Sequence, residues 1–190
     1  GVDPALTTRV AQWNDLDALE RELAQGDVAC VLAEPVMTNV GIVLPDEGYH
    51  AALRALTRRY DVLLILDETH TLCAGPGGYT RAYGLEPDLL TIGKAIGGGV
   101  PCGAYGLSAE VAARVLAHTR WDVADVGGIG GTLAANALSL AAMRATLAEV
   151  LTDDAFTRMI ALGERFEQGV AQTIAEYALP WHVVRVGCRV

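Results

Sequence analysis

Three short, nearly continuous apolar runs, at 28–33, 62–66 and 89–92, alternate with longer stretches of helical spacing, and this alternation restricts the fold more than any other feature. A strand buried on both faces needs apolar residues throughout, which is the pattern of a covered parallel sheet rather than of a half-wet antiparallel one. Leucines at 16, 19 and 23 mark a helix over 15–24, with Asn14 as its cap. Pro45-Asp46-Glu47 opens a second helix through Tyr60, with Leu53 and Leu56 on its apolar side and Arg54, Arg58 and Arg59 on its wet side. A fourth strand at 104–107 precedes a helix that starts after Ser108, a good N-cap. The link between the third and fourth strands is too short for a helical crossover, so the two are antiparallel neighbours or not adjacent. Helices follow over 132–150 and 153–177; Pro180 ends the last, and 181–186 has the character of a further strand. The expected fold class is α/β, a mostly parallel sheet flanked by helices.

Composition narrows the function classes. A net charge of −9 lacks the clustered basic surface that a phosphate backbone requires, so no nucleic-acid partner is expected. No apolar run is long enough to span a bilayer and no signal peptide opens the chain, so the expected setting is cytoplasmic, with no membrane partner. Cys30, Cys73, Cys102 and Cys188 are widely spaced and form no CxxC pair; four reduced thiols are expected rather than a disulfide framework or a zinc site. The four histidines show no metal-ligand spacing, so no metal is assigned.

Polar groups gather where the apolar runs end, the place at which open α/β sheets hold ligands. Glu34-Pro35 follows the first run, Asp67-Glu68-Thr69-His70 the second, and Lys94 the third, within Thr91-Ile92-Gly93-Lys94-Ala95-Ile96-Gly97-Gly98-Gly99. Lys94 is the only lysine beside 13 arginines, so it occupies a place that arginine does not fill. An amine beside apolar strands and glycines can lose its proton and attack a carbonyl. An aspartate nearby can hold a protonated pyridine nitrogen. Plainer readings stand beside these. Glu68 is a polar strand end or a helix cap, His70 is either a cofactor contact or a satisfied structural histidine, and the glycines at 97–99 and 127–131 are turns. His50 and His182 are taken as structural. Gly130-Gly131 before a helix is also how a phosphate meets a helix N-terminus, which favours a binding role for Thr132.

Asp67-Glu68, Gly77-Gly78, Gly84-Leu85-Glu86-Pro87-Asp88-Leu89, Gly93-Lys94 and Gly97-Gly98-Gly99-Val100-Pro101 occur in this order, with Asp67 and Lys94 27 positions apart. Together they resemble the class III, or ω-type, aminotransferases of pyridoxal 5'-phosphate (PLP) fold type I, from about Trp13 to the last residue. The resemblance implies that Lys94 carries PLP as a Schiff base and shuttles the substrate proton, and that Asp67 partners the pyridine nitrogen. It implies that Thr69 lies at the ring face, where the family usually has valine. His70 stands where many members have a glutamine contacting the ring oxygen. Gly131-Thr132 matches the turn that binds the cofactor phosphate across a dimer interface, which implies a homodimer, and Asn136 matches the asparagine of the same motif. After Glu34-Pro35, Asn39 stands where many ω-aminotransferases carry a glutamate that gates a substrate-binding arginine. Glu34 and Asn39 are therefore the candidate substrate contacts. This departure resembles the glutamate-1-semialdehyde 2,1-aminomutase and β-amino-acid aminotransferase branch.

By the same resemblance, residues 1–179 are the second half of the PLP-binding large domain and 180–190 the start of the C-terminal small domain, so the domain is incomplete. The chain alone is expected not to be a competent enzyme. The leading function is PLP-dependent amino transfer between an amine or amino acid and a keto or aldehyde acceptor. An intramolecular aminomutase is the alternative, and a catalytically silent PLP-fold scaffold the third reading.

Overall fold

The computed structural model describes residues 3–118 and 133–190. Its centre is the run at 62–66, because β2 (Leu63–Asp67) lies between β1 (Cys30–Ala33) and β3 (Leu89–Gly93) and is parallel to both. β4 (Gly103–Leu107) closes the order β1-β2-β3-β4 and pairs antiparallel with β3, from Leu89 opposite Leu107 to Gly93 opposite Gly103. Of the two arrangements open for this pair, the short connection gives the antiparallel neighbour. A parallel return needs a longer crossover.

Alternation along β2 assigns its faces. Leu64 and Leu66 are buried against α1 (Leu16–Leu23) and α2 (Tyr49–Arg59), where Leu19, Leu23, Tyr49, Leu53 and Val62 complete the core. On the opposite face Leu63 and Ile65 are half-buried, and Leu32 of β1 is 66% exposed. Among the described residues, then, α1 and α2 cover one face more fully than the other is covered. That differs from a sheet buried equally on both sides.

Several local expectations change. Asp15, not Asn14, caps α1: its Oδ1 accepts from Ala18 N at 2.8 Å. Asn14 instead takes the left-handed region at φ 65° and links Leu44 O and Asp46 N, each at 3.1 Å. α2 starts at Tyr49 rather than Pro45, because Gly48 at φ 77° turns the chain immediately before it. Arg58 and Arg59 do face outward, paired with Glu86 and Glu20. Arg54 does not: its two terminal nitrogens fork onto Asp88 at 2.6 Å each, and its side chain is only 17% exposed. Asp88 also accepts from Leu64 N at 2.8 Å, so one ion pair ties α2 to β2 at the start of β3.

Gly78–Ala82 forms a short helix, α3, and Ala109–His118 forms α4, whose Ser108 cap accepts from Val111 N at 3.2 Å as its sequence position suggests. The helix expected from 132 begins only at Ala137 (α5, Ala137–Ala145), because Asn136 is extended and caps it by accepting from Ser139 N at 3.0 Å. A π-helical turn, Thr146–Val150, follows, and α6 spans Asp153–Glu176 with Thr152 as its cap. The segment 181–186 is not a strand. Gly187, at φ 56°, turns the chain so that Val186 and Arg189 form an isolated antiparallel bridge, and Cys188 N donates to Cys73 O at 3.0 Å. A Cβ on Gly187 would collide with the backbone of Cys73 and Ala74. The close approach requires glycine.

Candidate functional site

Since β1, β2 and β3 are parallel, their carboxyl ends share one edge, and that edge brings Glu34, Asp67 and Lys94 together at the sheet rim. Lys94 leaves β3 at φ 48°, a left-handed conformation costly for a side-chain-bearing residue and concentrated at functional sites. A 3₁₀ turn, Lys94–Gly97, carries it away from the strand. The turn is closed by glycines for steric reasons: a Cβ on Gly97 would strike Cys102 Sγ, and Gly98 is left-handed at φ 57°.

Asp67 is the last residue of β2, and its Oδ1 accepts from Thr69 N at 2.9 Å. Burial pushes its carboxyl pKa up, but hydrogen bonds from Thr69 and Thr91 and the nearby His70 together hold it below the ordinary carboxylate value. Asp67 is thus kept as an anion. Glu68, its neighbour, is a structural residue. It is 1% exposed, accepts from Thr71 Oγ1, Thr80 N and, at 3.1 Å, Tyr79 N, and so receives the free amides at the start of α3. This resolves its two readings in favour of a cap.

His70 sits with its Nε2 2.6 Å from Lys94 Nζ and its Nδ1 2.8 Å from Thr38 Oγ1. Thr38 in turn donates to Glu34 Oε2, which lies 3.6 Å from His70 Nδ1. Arg189 fixes the same turn by donating to Thr38 O at 2.7 Å. His50, expected to be structural, holds Pro35 O at 2.8 Å, and burial keeps its pKa below the usual histidine value. It braces the loop that presents Glu34.

Other candidates fall elsewhere. Thr69 lies beside Gly93, with its Oγ1 3.6 Å from where a Cβ on that glycine would be, so its side chain borders the end of β3 next to Lys94. Asn39 is exposed, one residue beyond Thr38 and outside the hydrogen-bonded chain from Glu34 to Lys94. His182 is exposed. Gly131 and Thr132 lie outside the described residues. Sequence reasoning missed Thr38 and Thr91. Thr38 is 2% exposed in the loop after β1, and only the fold brings it to His70. The four cysteines are free, and no described helix is long and apolar enough to cross a membrane.

Residues 6–188 match the family model "Aminotransferase class-III". The glutamate-1-semialdehyde 2,1-aminomutase of Anaeromyxobacter sp. (strain Fw109-5) is 39% identical over 190 residues, covering 97% of this chain and 42% of its own length. That of Syntrophomonas wolfei is 46% identical over 145 residues, covering 74% of this chain and 32% of its own. Among solved structures, a glutamate-1-semialdehyde-aminomutase from Pseudomonas aeruginosa PAO1 in complex with PMP matches with TM-score 0.93 and 56% identity, over 99% of this chain and 42% of that one. An omega-transaminase from Sphaerobacter thermophilus matches with TM-score 0.76 and 34% identity, over 94% and 40%. The chain therefore spans well under half the length of these relatives. It belongs to the class III aminotransferases, a family of PLP-dependent enzymes of fold type I.

Proposed function

We propose that this chain supplies the lysine-bearing part of the active site of a PLP-dependent aminomutase, an enzyme that relocates an amino group within one carbon skeleton. The observation that carries the reading is the identity gap between neighbours. Aminomutase structures are 56% and 57% identical over 99% of the chain, whereas the omega-transaminase is 34% and a β-phenylalanine aminotransferase from Variovorax paradoxus 27% identical. The expectation that placed amino transfer first is reordered accordingly.

The donor set fits PLP. An amine at a strand end and a carboxylate held ionised are what an aldehyde on a protonatable pyridine ring requires. Bound there, PLP supplies a carbonyl for amine exchange and a ring that stabilises negative charge at a carbon losing its proton. Lys94 Nζ anchors the cofactor covalently and then moves the substrate proton. Asp67 keeps its negative charge against the ring nitrogen, Thr69 borders the ring, and His70 stands beside Lys94 Nζ. Gly131 and Thr132 hold the phosphate. Glu34 and Asn39 are the candidate substrate contacts, with Glu34 bonded to the Thr38 turn. Residues 1–179 are assigned to the large domain and 180–190 to the start of the small one, within a homodimer.

A second reading, amino transfer between two substrates, is favoured by the family as a whole and by the omega-transaminase neighbour. The two separate on the need for an acceptor. Given glutamate 1-semialdehyde and no keto acid, the whole protein is expected to turn over many times, returning the isomer with its amine moved from carbon 2 to carbon 1. Turnover that stops after one equivalent until a keto acid is added establishes the transferase instead.

A further inference from the structure

We propose that Glu34, Thr38 and His70 form a one-way hydrogen-bond relay that makes His70 Nε2 the proton acceptor of Lys94, an inference that rests on the role given to Lys94 above. The direction follows from what each group can donate. Glu34 Oε2 belongs to a carboxylate and only accepts, so the Thr38 hydroxyl spends its single hydrogen on it. Thr38 Oγ1 can then only accept from its other neighbour, which places a hydrogen on His70 Nδ1 at 2.8 Å. A neutral imidazole with its hydrogen on Nδ1 has a lone pair on Nε2, and that lone pair faces Lys94 Nζ at 2.6 Å. Every donor in the series points away from the lysine.

The step balances without any further reagent. One N–H bond of the Lys94 ammonium breaks and an N–H bond forms at His70 Nε2. The electron pair left on Nζ becomes free to attack a carbonyl, and the positive charge passes to the imidazole. Glu34, 3.6 Å from Nδ1, and the anionic Asp67 offset that charge, while Arg189 pins the Thr38 carbonyl and stops the turn from swinging away. The side chains of His70 and Glu34 are 17% and 24% exposed and Thr38 is buried, so bulk water competes weakly for the bonds among these three, while Lys94 itself is exposed. Where many members of the family place a glutamine, His70 places a base. Thr38 and Glu34 are positioning residues, acting through the ring.

Two readouts on the cofactor-free protein test the relay. Histidine ¹⁵N spectra are expected to show His70 neutral with its hydrogen on Nδ1; an Nε2–H ring overturns the proposal. The second readout is the rate at which Lys94 captures added PLP at neutral pH, trapped by borohydride and quantified on the Lys94 peptide. His70→Gln keeps an acceptor without basicity, and Thr38→Val breaks the middle link. Each is expected to slow capture roughly 100-fold, the low end of what a positioned base contributes, while Thr38→Ser restores it. Folded variants that capture at the native rate overturn the relay and leave the role of Lys94 intact. No capture by Lys94 in the native protein overturns that role itself.

Discussion

At φ 48°, Lys94 occupies a backbone conformation that a glycine would adopt more cheaply, yet it is the only lysine in the sequence. Its identity and its strand-end position were both legible in the sequence, because a short apolar run followed by Gly-Lys and glycines leaves few alternatives. Asp67 was legible for the same reason. What the sequence did not reveal was the partner of the lysine: His70 is 24 positions away, and Thr38 a further 32. Pairing at such separations is a product of strand register, not of local pattern. Asp67 carries a direct prediction. Its carboxyl is held below its ordinary value of about 3.9, so it stays charged at neutral pH. Asp67→Asn removes that charge, which typically shifts a partner's protonation by about 1–3 pKa units. Turnover of the PLP-loaded protein is expected to fall by roughly ten- to a thousand-fold. Unchanged turnover removes Asp67 from the role of ring partner.

Elements were most readable where burial dictates composition. The strands at 63–67 and 89–93 fall within one residue of the apolar runs, since largely apolar side chains suit the middle of this sheet. The failures share another cause: local conformation overrode pattern. Gly48 delayed α2, and Gly187 turned the chain after 181–186, which ends in an isolated bridge at Val186 in place of a strand. Arg54 looked like a solvent-facing residue because it lies beside Arg58 in helical spacing, but Asp88 draws it inward at the start of β3. That pair is a structural clamp, and the Arg54 guanidinium holds the Asp88 carboxyl below its ordinary value. Its stabilisation is present above the unfolded value of about 3.9 and is lost as the pH falls below it. Asp88→Asn leaves the guanidinium without its counter-charge and is expected to cost about 3 kcal/mol in urea unfolding at pH 7. A change below about 0.5 kcal/mol, the level of a neutral surface substitution, contradicts the clamp.

At the scale of the whole molecule, the chemistry and the apolar surface lie apart. The polar edge with Glu34, Asp67 and Lys94 sits at the carboxyl ends of the strands. A separate apolar groove of about 620 Å³ runs along α6, lined by Leu162, Phe166, Val170, Ile174 and Trp181. Phe166 and Trp181 are 62% and 65% exposed, values that no sequence pattern distinguishes from those of buried aromatics. The chain covers 42% of the length of an aminomutase relative, and Lys94, Asp67 and His70 are what it contributes to the proposed site. The proposed chemistry therefore depends on Lys94 as the covalent anchor. Borohydride reduction of the PLP-loaded whole protein, followed by peptide mapping, is expected to place a phosphopyridoxyl group on Lys94 in near-stoichiometric yield. Bound cofactor whose label falls on any other residue contradicts it.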